Sequence, residues 1–325
     1  MFSNKRQSYP QYRSCFFLIL LCLVLLCTTA CSPSKSEGMK IRLGYLQSDL
    51  HHLPVFVAIE KGYFQQEGLA VEVIGEFRAG PELMSAFSAQ ALDVGYVGLA
   101  PAITAKANST AHIQCIALVN TEGSAIVTGK ESSGKSVADL KGKVVTIPGH
   151  ATMQDFLLRR ALKQQGVAVN EIKLLVLKPP EMIPALRRKD IDAFIAWEPY
   201  PSKAVTENAG RILMTSHQIW AQHPCCVIVA DEAFCGKHPE MVQKLKSVHR
   251  RACEFINASR PEAIAIGVNY TGMDGKTVAA ALGNITYGGV LERQYVAEYV
   301  DFLRELRYIR PDIAKNFLMS ILPEQ

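Results

Sequence analysis

Residues 84–101 read MSAFSAQALDVGYVGLAP, and residues 190–199 read DIDAFIAWEP. Each stretch carries an acidic residue, Asp93 or Asp192, near the start of a short apolar run, Leu92 to Val97 or Ile191 to Ile195. After a turn each reaches a proline, Pro101 or Pro199, and the Asp-to-Pro spacing differs by one residue. A short apolar run bounded by turn residues is the pattern of a strand covered on both faces. A helix face precedes each run: Leu83 and Phe87 in the first, Met182, Ala185 and Leu186 in the second. Two copies of one helix–strand–turn unit predict two similar α/β lobes.

The surrounding chain keeps this rhythm. Ile41 to Leu46, Val71 to Ile74 and Ile113 to Val119 read as strands, with a helix from Pro54 to Lys61 stopped by Gly62 and another starting near Pro101. The rhythm restarts near Lys143 with strands at Val144 to Ile147 and Ile172 to Leu177 around a helix from Thr152 to Gln165. The last third reads as mainly helical after a strand at Val227 to Ala230, with long helices over 238–258, 261–268 and 292–307. The fold class expected is α/β, with each lobe a mostly parallel sheet flanked by helices. Ligands of such sheets sit at the C-terminal ends of strands, so two facing lobes place a cleft between those ends that closes about a hinge.

The N-terminus reads as a targeting segment. Lys5, Arg6 and Arg13 precede an apolar run from Phe16 to Cys27, followed by Thr28, Thr29, Ala30 and Cys31. That run is too short to span a hydrocarbon core of about 30 Å as a helix. The small residues ending in Ala30–Cys31, followed by polar Ser32 to Gly38, resemble a lipoprotein cleavage box, although Thr28 stands where such boxes usually carry Leu. Residues 1–30 are therefore read as a signal peptide, 31–38 as a linker, and Cys31 as the lipidated residue of a membrane-anchored, extracytoplasmic protein. Cleavage without lipid and an uncut anchor are the alternatives. Losing residues 1–30 removes Lys5, Arg6 and Arg13 and no acidic residue, so the net charge falls from +5 to +2. A near-neutral chain gives no electrostatic case for nucleic acid. The doublets Arg159–Arg160, Arg187–Arg188 and Arg250–Arg251 read as solvated helix faces. Beyond Cys31 remain Cys115, Cys225, Cys226, Cys235 and Cys253, an odd set without the spacing of a disulfide framework.

Glu60-Lys61-Gly62-Tyr63-Phe64, Glu67-Gly68-Leu69 with the strand from Val71 to Val73, the segment 84–101, Leu140 to Pro148 and the segment 190–199 form an ordered set. Over residues 39–310 this set resembles the periplasmic binding proteins of the nitrate, sulfonate, taurine and thiamine-precursor ABC importers. The resemblance implies a two-lobed, type II periplasmic-binding fold. Lobe I is then 39–123 plus about 223–325, lobe II 124–222, with strands crossing near Thr121–Thr128 and Cys225–Ala230. It also implies a monomeric, non-enzymatic carrier without a cofactor, whose partners are a small polar solute, a permease and that permease's ATPase.

Resemblance and strand-end logic select the same loops for the ligand. From lobe I they give Asp49, His51, His52, Arg78, Gly98, Leu99 and Ala100; from lobe II, His150, Thr152, Met153, Trp197 and Glu198; from the hinge, Cys225 and Cys226. Helix N-termini near Pro101 and Thr152 offer backbone N–H groups to an anion or polar oxygen, and Gly98 permits close backbone approach. Trp197 suits stacking on a flat ligand, and Glu198 suits an amine or ring N–H. Asp49, His51 and His52 stand where relatives often place small hydroxyl or amide residues. With His223, Cys225 and Cys226 they allow a second reading, a site for a borderline-soft metal or metal chelate. Buried apolar thiols or a disulfide between neighbours are the other readings of Cys225 and Cys226. His112, His217, His238 and His249 are expected at the surface, and Cys115, Cys235 and Cys253 in the core. A thiamine-pyrimidine-synthase-like enzyme needs an activated Lys, which the named loops lack; no G-x-S-x-G or H-E-x-x-H pattern occurs. A sensor using the same two lobes is a further alternative.

Overall fold

In the computed structural model the two aspartates of the repeated segment play one structural part. The Asp93 backbone N–H donates to the Arg42 carbonyl at 2.9 Å, and the Asp93 carboxylate accepts the Arg42 N–H at 2.8 Å. The Asp192 N–H donates to the Val144 carbonyl at 2.9 Å, and its carboxylate accepts the Val144 N–H at 2.8 Å. Each thus ties the start of one inner strand to its parallel neighbour, and the sequence echo is a structural echo.

The structure describes residues 1, 40–313 and 316–323. The signal segment (Met1 aside), Cys31 and the linker 31–38 lie outside the described residues. The strands are β1 Lys40–Leu46, β2 Ala70–Phe77, β3 Val94–Gly98, β4 Ile113–Glu122, β5 Ser124–Gly129, β6 Val144–Ile147, β7 Lys173–Val176, β8 Ala193–Trp197, β9 Gly210–Thr215, β10 Pro224–Asp231 and β11 Ile285–Tyr287. A six-stranded sheet runs β11-β4-β10-β3-β1-β2, and a five-stranded sheet runs β7-β6-β8-β5-β9. In the first, β1 pairs in parallel with β2 and β3; in the second, β6 pairs in parallel with β7 and β8. The parallel inner strands β3 and β8 are buried along their whole length, as their unbroken apolar runs require. Helices flank both sheets, giving two lobes.

The chain passes from one sheet to the other at Gly123, between β4 and β5, and returns between β9 and β10. Gly123 has φ +85°, where a side chain is strained. The helix Arg293–Glu305 lies against the second lobe as well: Tyr299 and Phe302 meet Phe156 of the helix Met153–Gln164 at ring distances of 4.5 and 4.9 Å. Among the described residues no helix is long and apolar enough to cross a membrane.

Three expectations change. His249 is buried, not at the surface: it sits between Leu245 and Cys253 on the inner face of the helix Pro239–Ala258, with its Nε2 2.9 Å from the Leu118 carbonyl. The arginine doublets are not uniformly solvated, since Arg160 lies 4.0 Å above the Trp220 ring and Arg251 3.9 Å above Tyr63. Such stacking adds a cation–π contact, and Arg160 also faces the Glu298 carboxylate at 3.6 Å. The strands β9 and β11 and the helix Gly275–Leu282 had no counterpart in the pattern reading. β9 and β11 are edge strands, and β9 is only half-buried, so it lacks an apolar signature.

Candidate functional site

β3 ends at Gly98 and β8 at Trp197, and both ends open on the gap between the lobes. There a small cavity of about 10 Å³ is lined by Leu46, Asp49, His51, Gly80, Gly98, Pro101, Thr152, Met153, Gln154, Trp197 and Cys226. That volume holds about one water. A much larger concavity, about 800 Å³, lies elsewhere, beside residues 128–140 with Lys143, Arg187 and Asp192 in its wall. It is lined by the second lobe alone and lacks a buried polar cluster, so the inter-lobe cavity is the better candidate despite its size.

From the first lobe, Gly98 precedes the helix Leu99–Ala107 and leaves its first N–H groups facing the gap. The Ala100 N–H points at Met153 Sδ, 3.2 Å away across the gap, a weak acceptor for a helix N-terminus. A Cβ on Gly98 would stand 2.6 Å from Met153 Cγ, so only glycine permits this approach. From the second lobe, Thr152 caps the helix Met153–Gln164 by accepting the Asp155 N–H at 3.2 Å. Trp197 is buried with its indole N–H unpartnered, against a T-shaped contact with Tyr200.

The turn Asp49–His52 forms the floor. Asp49 accepts the His51 N–H at 2.9 Å. His51 donates from Nε2 to the Gly123 carbonyl at 2.7 Å, which turns its Nδ1 toward Cys225 and Cys226, both at 3.6 Å. His52 accepts the Leu46 N–H on Nδ1 at 3.1 Å, so its proton sits on Nε2, 3.9 Å from Asp49 and otherwise unpartnered. All five side chains are buried. Burial pushes the Asp49 carboxyl up to about 7 against the pull of His51. For His51 burial works downward, but Cys225 and Asp49 outweigh it and push the imidazole up to about 10. Burial and then the His51 charge push His52 down to about 3. The Cys225 thiol is held well below its ordinary range by the Cys226 hydrogen bond, the His51 charge and His223; burial holds Cys226 well above it. The arrangement favours an imidazolium–thiolate pair beside a carboxyl whose charged form burial disfavours. The two sulfurs are free thiols 3.9 Å apart, not a disulfide.

The structure therefore brings Asp49, His51, His52, Gly98, Leu99, Ala100, Thr152, Met153, Trp197, Cys225 and Cys226 together. It does not bring in three others. Arg78 is exposed, and its backbone N–H is held by Glu82 at the start of the next helix. His150 is exposed at the rim, drawn to 3.8 Å from Asp155. Glu198 is buried, but its carboxylate is taken up by Asn284 at 2.8 Å and the Ser202 N–H at 3.1 Å, so it fastens the lobes rather than offering an acceptor. His223 donates to the Trp220 carbonyl at 2.8 Å, leaving Nε2 unpartnered on the Cys225 side. Strand-end logic included Gln154 at the end of the loop 149–154, and the structure has it donating to Ser124 at 3.0 Å; it gave no role to Gly123 or Asn284. A glycine directly after a long strand was the one available signal for Gly123.

The family model of the NMT1-like family matches residues 34–269. The chain belongs to the NMT1-like family. Among similar proteins, the taurine-binding periplasmic protein of Escherichia coli is 27% identical over 221 residues, 67% of each chain. Among solved structures, the periplasmic aliphatic sulphonate binding protein of Escherichia coli superposes with TM-score 0.75 at 22% identity, over 87% of this chain and 97% of that one. The periplasmic nitrate-binding protein of Synechocystis PCC 6803 superposes with TM-score 0.76 at 16% identity, over 88% and 85%. These likenesses establish for this NMT1-like chain the two-lobed periplasmic-binding fold expected from its sequence.

Proposed function

We propose that the protein is the extracytoplasmic solute-binding component of an ABC importer, and that its solute carries a small oxyanion such as a sulfonate. The observation that carries this reading is the Ala100 N–H at the start of the helix Leu99–Ala107, facing the gap with only the Met153 sulfur as partner. A sulfonate oxygen is the stronger acceptor for that position, and the helix dipole favours its charge. Trp197 adds a second free donor on the opposite wall. The taurine-, sulphonate- and nitrate-binding relatives support the same class of solute. In this reading lobe I is 39–123 with 223–325 and lobe II is 124–222, a division supported by the separate memberships of β1–β4, β10 and β11 and of β5–β9.

Because the cavity holds about one water, solute enters when the lobes part and Met153 leaves Gly98; solute contacts to both lobes then favour closure. A permease and its ATPase read the closed form. The protein acts as a monomeric carrier, held at the membrane by lipid on Cys31, and not as an enzyme; the cavity lining contains no Lys that could be activated. The test is thermal unfolding with taurine, short alkanesulfonates and nitrate. A midpoint rising with the logarithm of one solute's concentration is expected, and its loss on Gly98→Val, which blocks closure on Met153, locates the site. No shift with any of these anions while the protein remains folded overturns the oxyanion reading.

A further inference from the structure

We infer that His51, Cys225 and Cys226 form a resident three-ligand site for a thiophilic divalent ion of the zinc type beneath the solute cavity. This goes beyond solute capture: the ion is a fixture of the closed floor, not the cargo.

The geometry is the argument. Tetrahedral zinc with Zn–S of about 2.3 Å and Zn–N or Zn–O of about 2.0–2.1 Å sets its ligand atoms about 3.8 Å apart for two sulfurs, about 3.6 Å for sulfur and nitrogen, and about 3.3–3.4 Å for nitrogen and oxygen. The structure has 3.9 Å between the sulfurs, 3.6 Å from His51 Nδ1 to each sulfur, and 3.5 Å from Nδ1 to Asp49 Oδ1. The three edges among His51, Cys225 and Cys226 are in place to within about 0.1 Å of those values, and Asp49 stands beside the imidazole outside this set, which leaves the fourth position open.

The hydrogen bonds point the same way. A ligating histidine usually donates its other N–H to a carbonyl or carboxylate, which bares the ligating nitrogen. His51 does this through Nε2 to Gly123 O at 2.7 Å. The competing triad, Asp49 with His52 and Cys226, fails on the same ground. His52 Nδ1 is occupied by a backbone N–H of β1, so its Nε2 carries the proton and faces Asp49 Oδ2 as a support for that carboxylate. The set is fully buried, yet His51 and Cys226 also line the inter-lobe cavity, which gives an ion a route when the lobes part. The sulfur-rich donor set selects zinc-like ions over calcium or magnesium. Binding expels one proton per thiol unit, whether the starting state is two thiols with a neutral imidazole or a thiol with the imidazolium–thiolate pair.

The test uses the full mature chain, reduced, stripped with a chelator and free of added solute, titrated with Co²⁺ and then Zn²⁺. Expected are one equivalent of Co²⁺, a thiolate-to-cobalt charge-transfer band with intense tetrahedral d–d bands, release of protons, and displacement by Zn²⁺. Cys225→Ala/Cys226→Ala should abolish the band, and Cys115→Ala/Cys253→Ala, buried thiols away from the cluster, should keep it. Should the double variant fail to fold, His51→Gln is read instead, with a tenfold or larger loss of Co²⁺ affinity and an altered d–d envelope expected. A folded protein with no charge-transfer band, or a band unchanged in these variants, overturns the inference. Since no solute is present, this failure is separate from failure of the anion reading.

Discussion

Gly123 carries two constraints that a methyl group would test separately from each other. Its φ of +85° costs an L-residue about 1–2 kcal/mol. Its Cβ would also stand 2.3 Å from His51 Nε2 and 2.8 Å from Ile285 Cγ1, so His51 must leave the Gly123 carbonyl. Losing that buried, charge-assisted hydrogen bond costs about 1.5–3 kcal/mol more. Gly123→Ala should therefore destabilise by about 2.5–5 kcal/mol, from the two contributions together. Two controls divide the total. Gly142 has φ +74° and open space around its Cβ position, so Gly142→Ala should show only the conformational cost, about 1–2 kcal/mol. Gly129 has open space and no positive φ, so Gly129→Ala should stay within about 0.5 kcal/mol of the parent. Reversible urea unfolding of the three variants at one pH supplies the comparison. Gly123→Ala and Gly142→Ala agreeing within about 0.5 kcal/mol would refute the claim that His51 is locked on the Gly123 carbonyl.

Other consequences follow from single contacts. Asn284→Ala strips the Glu198 carboxylate of its side-chain donor in a site where burial already raises it, and should cost about 1–3 kcal/mol in urea unfolding; an unchanged midpoint would show that Glu198 does not fasten the lobes. His249 is pushed down to about 4 by burial, partly offset by the Leu118 carbonyl. Its folded pKa is depressed, so its contribution is full above about 6.5 and is lost as pH falls from there to about 4, up to about 3 kcal/mol in all. His249→Gln should flatten the stability profile in that window, and an unchanged slope would reject the assignment. Cys31→Ser should move the protein from the membrane to the soluble extracytoplasmic fraction; continued pelleting with membranes would reject the lipid anchor.

The fold was legible wherever burial on both faces imposed an apolar run. β3 and β8 stood out for this reason, and their aspartates fixed the register of the echo. β9 was not legible, because an edge strand with one wet face carries no such run. The site was legible by loop, not by side-chain direction. Asp49, His51 and Trp197 lie where strand-end logic put them. Arg78 sits in the right loop but its side chain is exposed and Glu82 holds its backbone N–H, while Glu198 is claimed by Ser202 and Asn284. Two of those captures are local, within four residues, and helix-start chemistry could have suggested them. Asn284 comes from a distant segment, and no local pattern encodes that contact. His249 misled because an imidazole on an inner helix face looks polar in sequence, while the Leu118 carbonyl that satisfies it is visible only in the fold.

The repeated segments start alike and end differently, and the difference gives the cleft its polarity. After β3 the chain turns at Gly98 directly into a helix, presenting backbone N–H groups whose facing side chain is the weakly accepting Met153. After β8 it runs through Trp197, Glu198 and Pro199 before the helix Tyr200–Thr206 begins, and Glu198 accepts the Ser202 N–H at that helix's own N-terminus. One helix start is left open and the matching one is closed by the chain itself. An anion gains from the first and is repelled by the second, so the charged end of a solute belongs on the first lobe and its apolar part against Trp197 and Met153. A solute with charge at both ends would have to place its cation elsewhere, and among the described residues the only carboxylate lining the cavity is Asp49. That carboxyl is pushed up to about 7 and lies against His51, so it is a poor partner for an ammonium group. Simple alkanesulfonates should consequently bind more tightly than taurine, and the reverse order in competition calorimetry would place a free carboxylate in the cleft that this geometry does not contain.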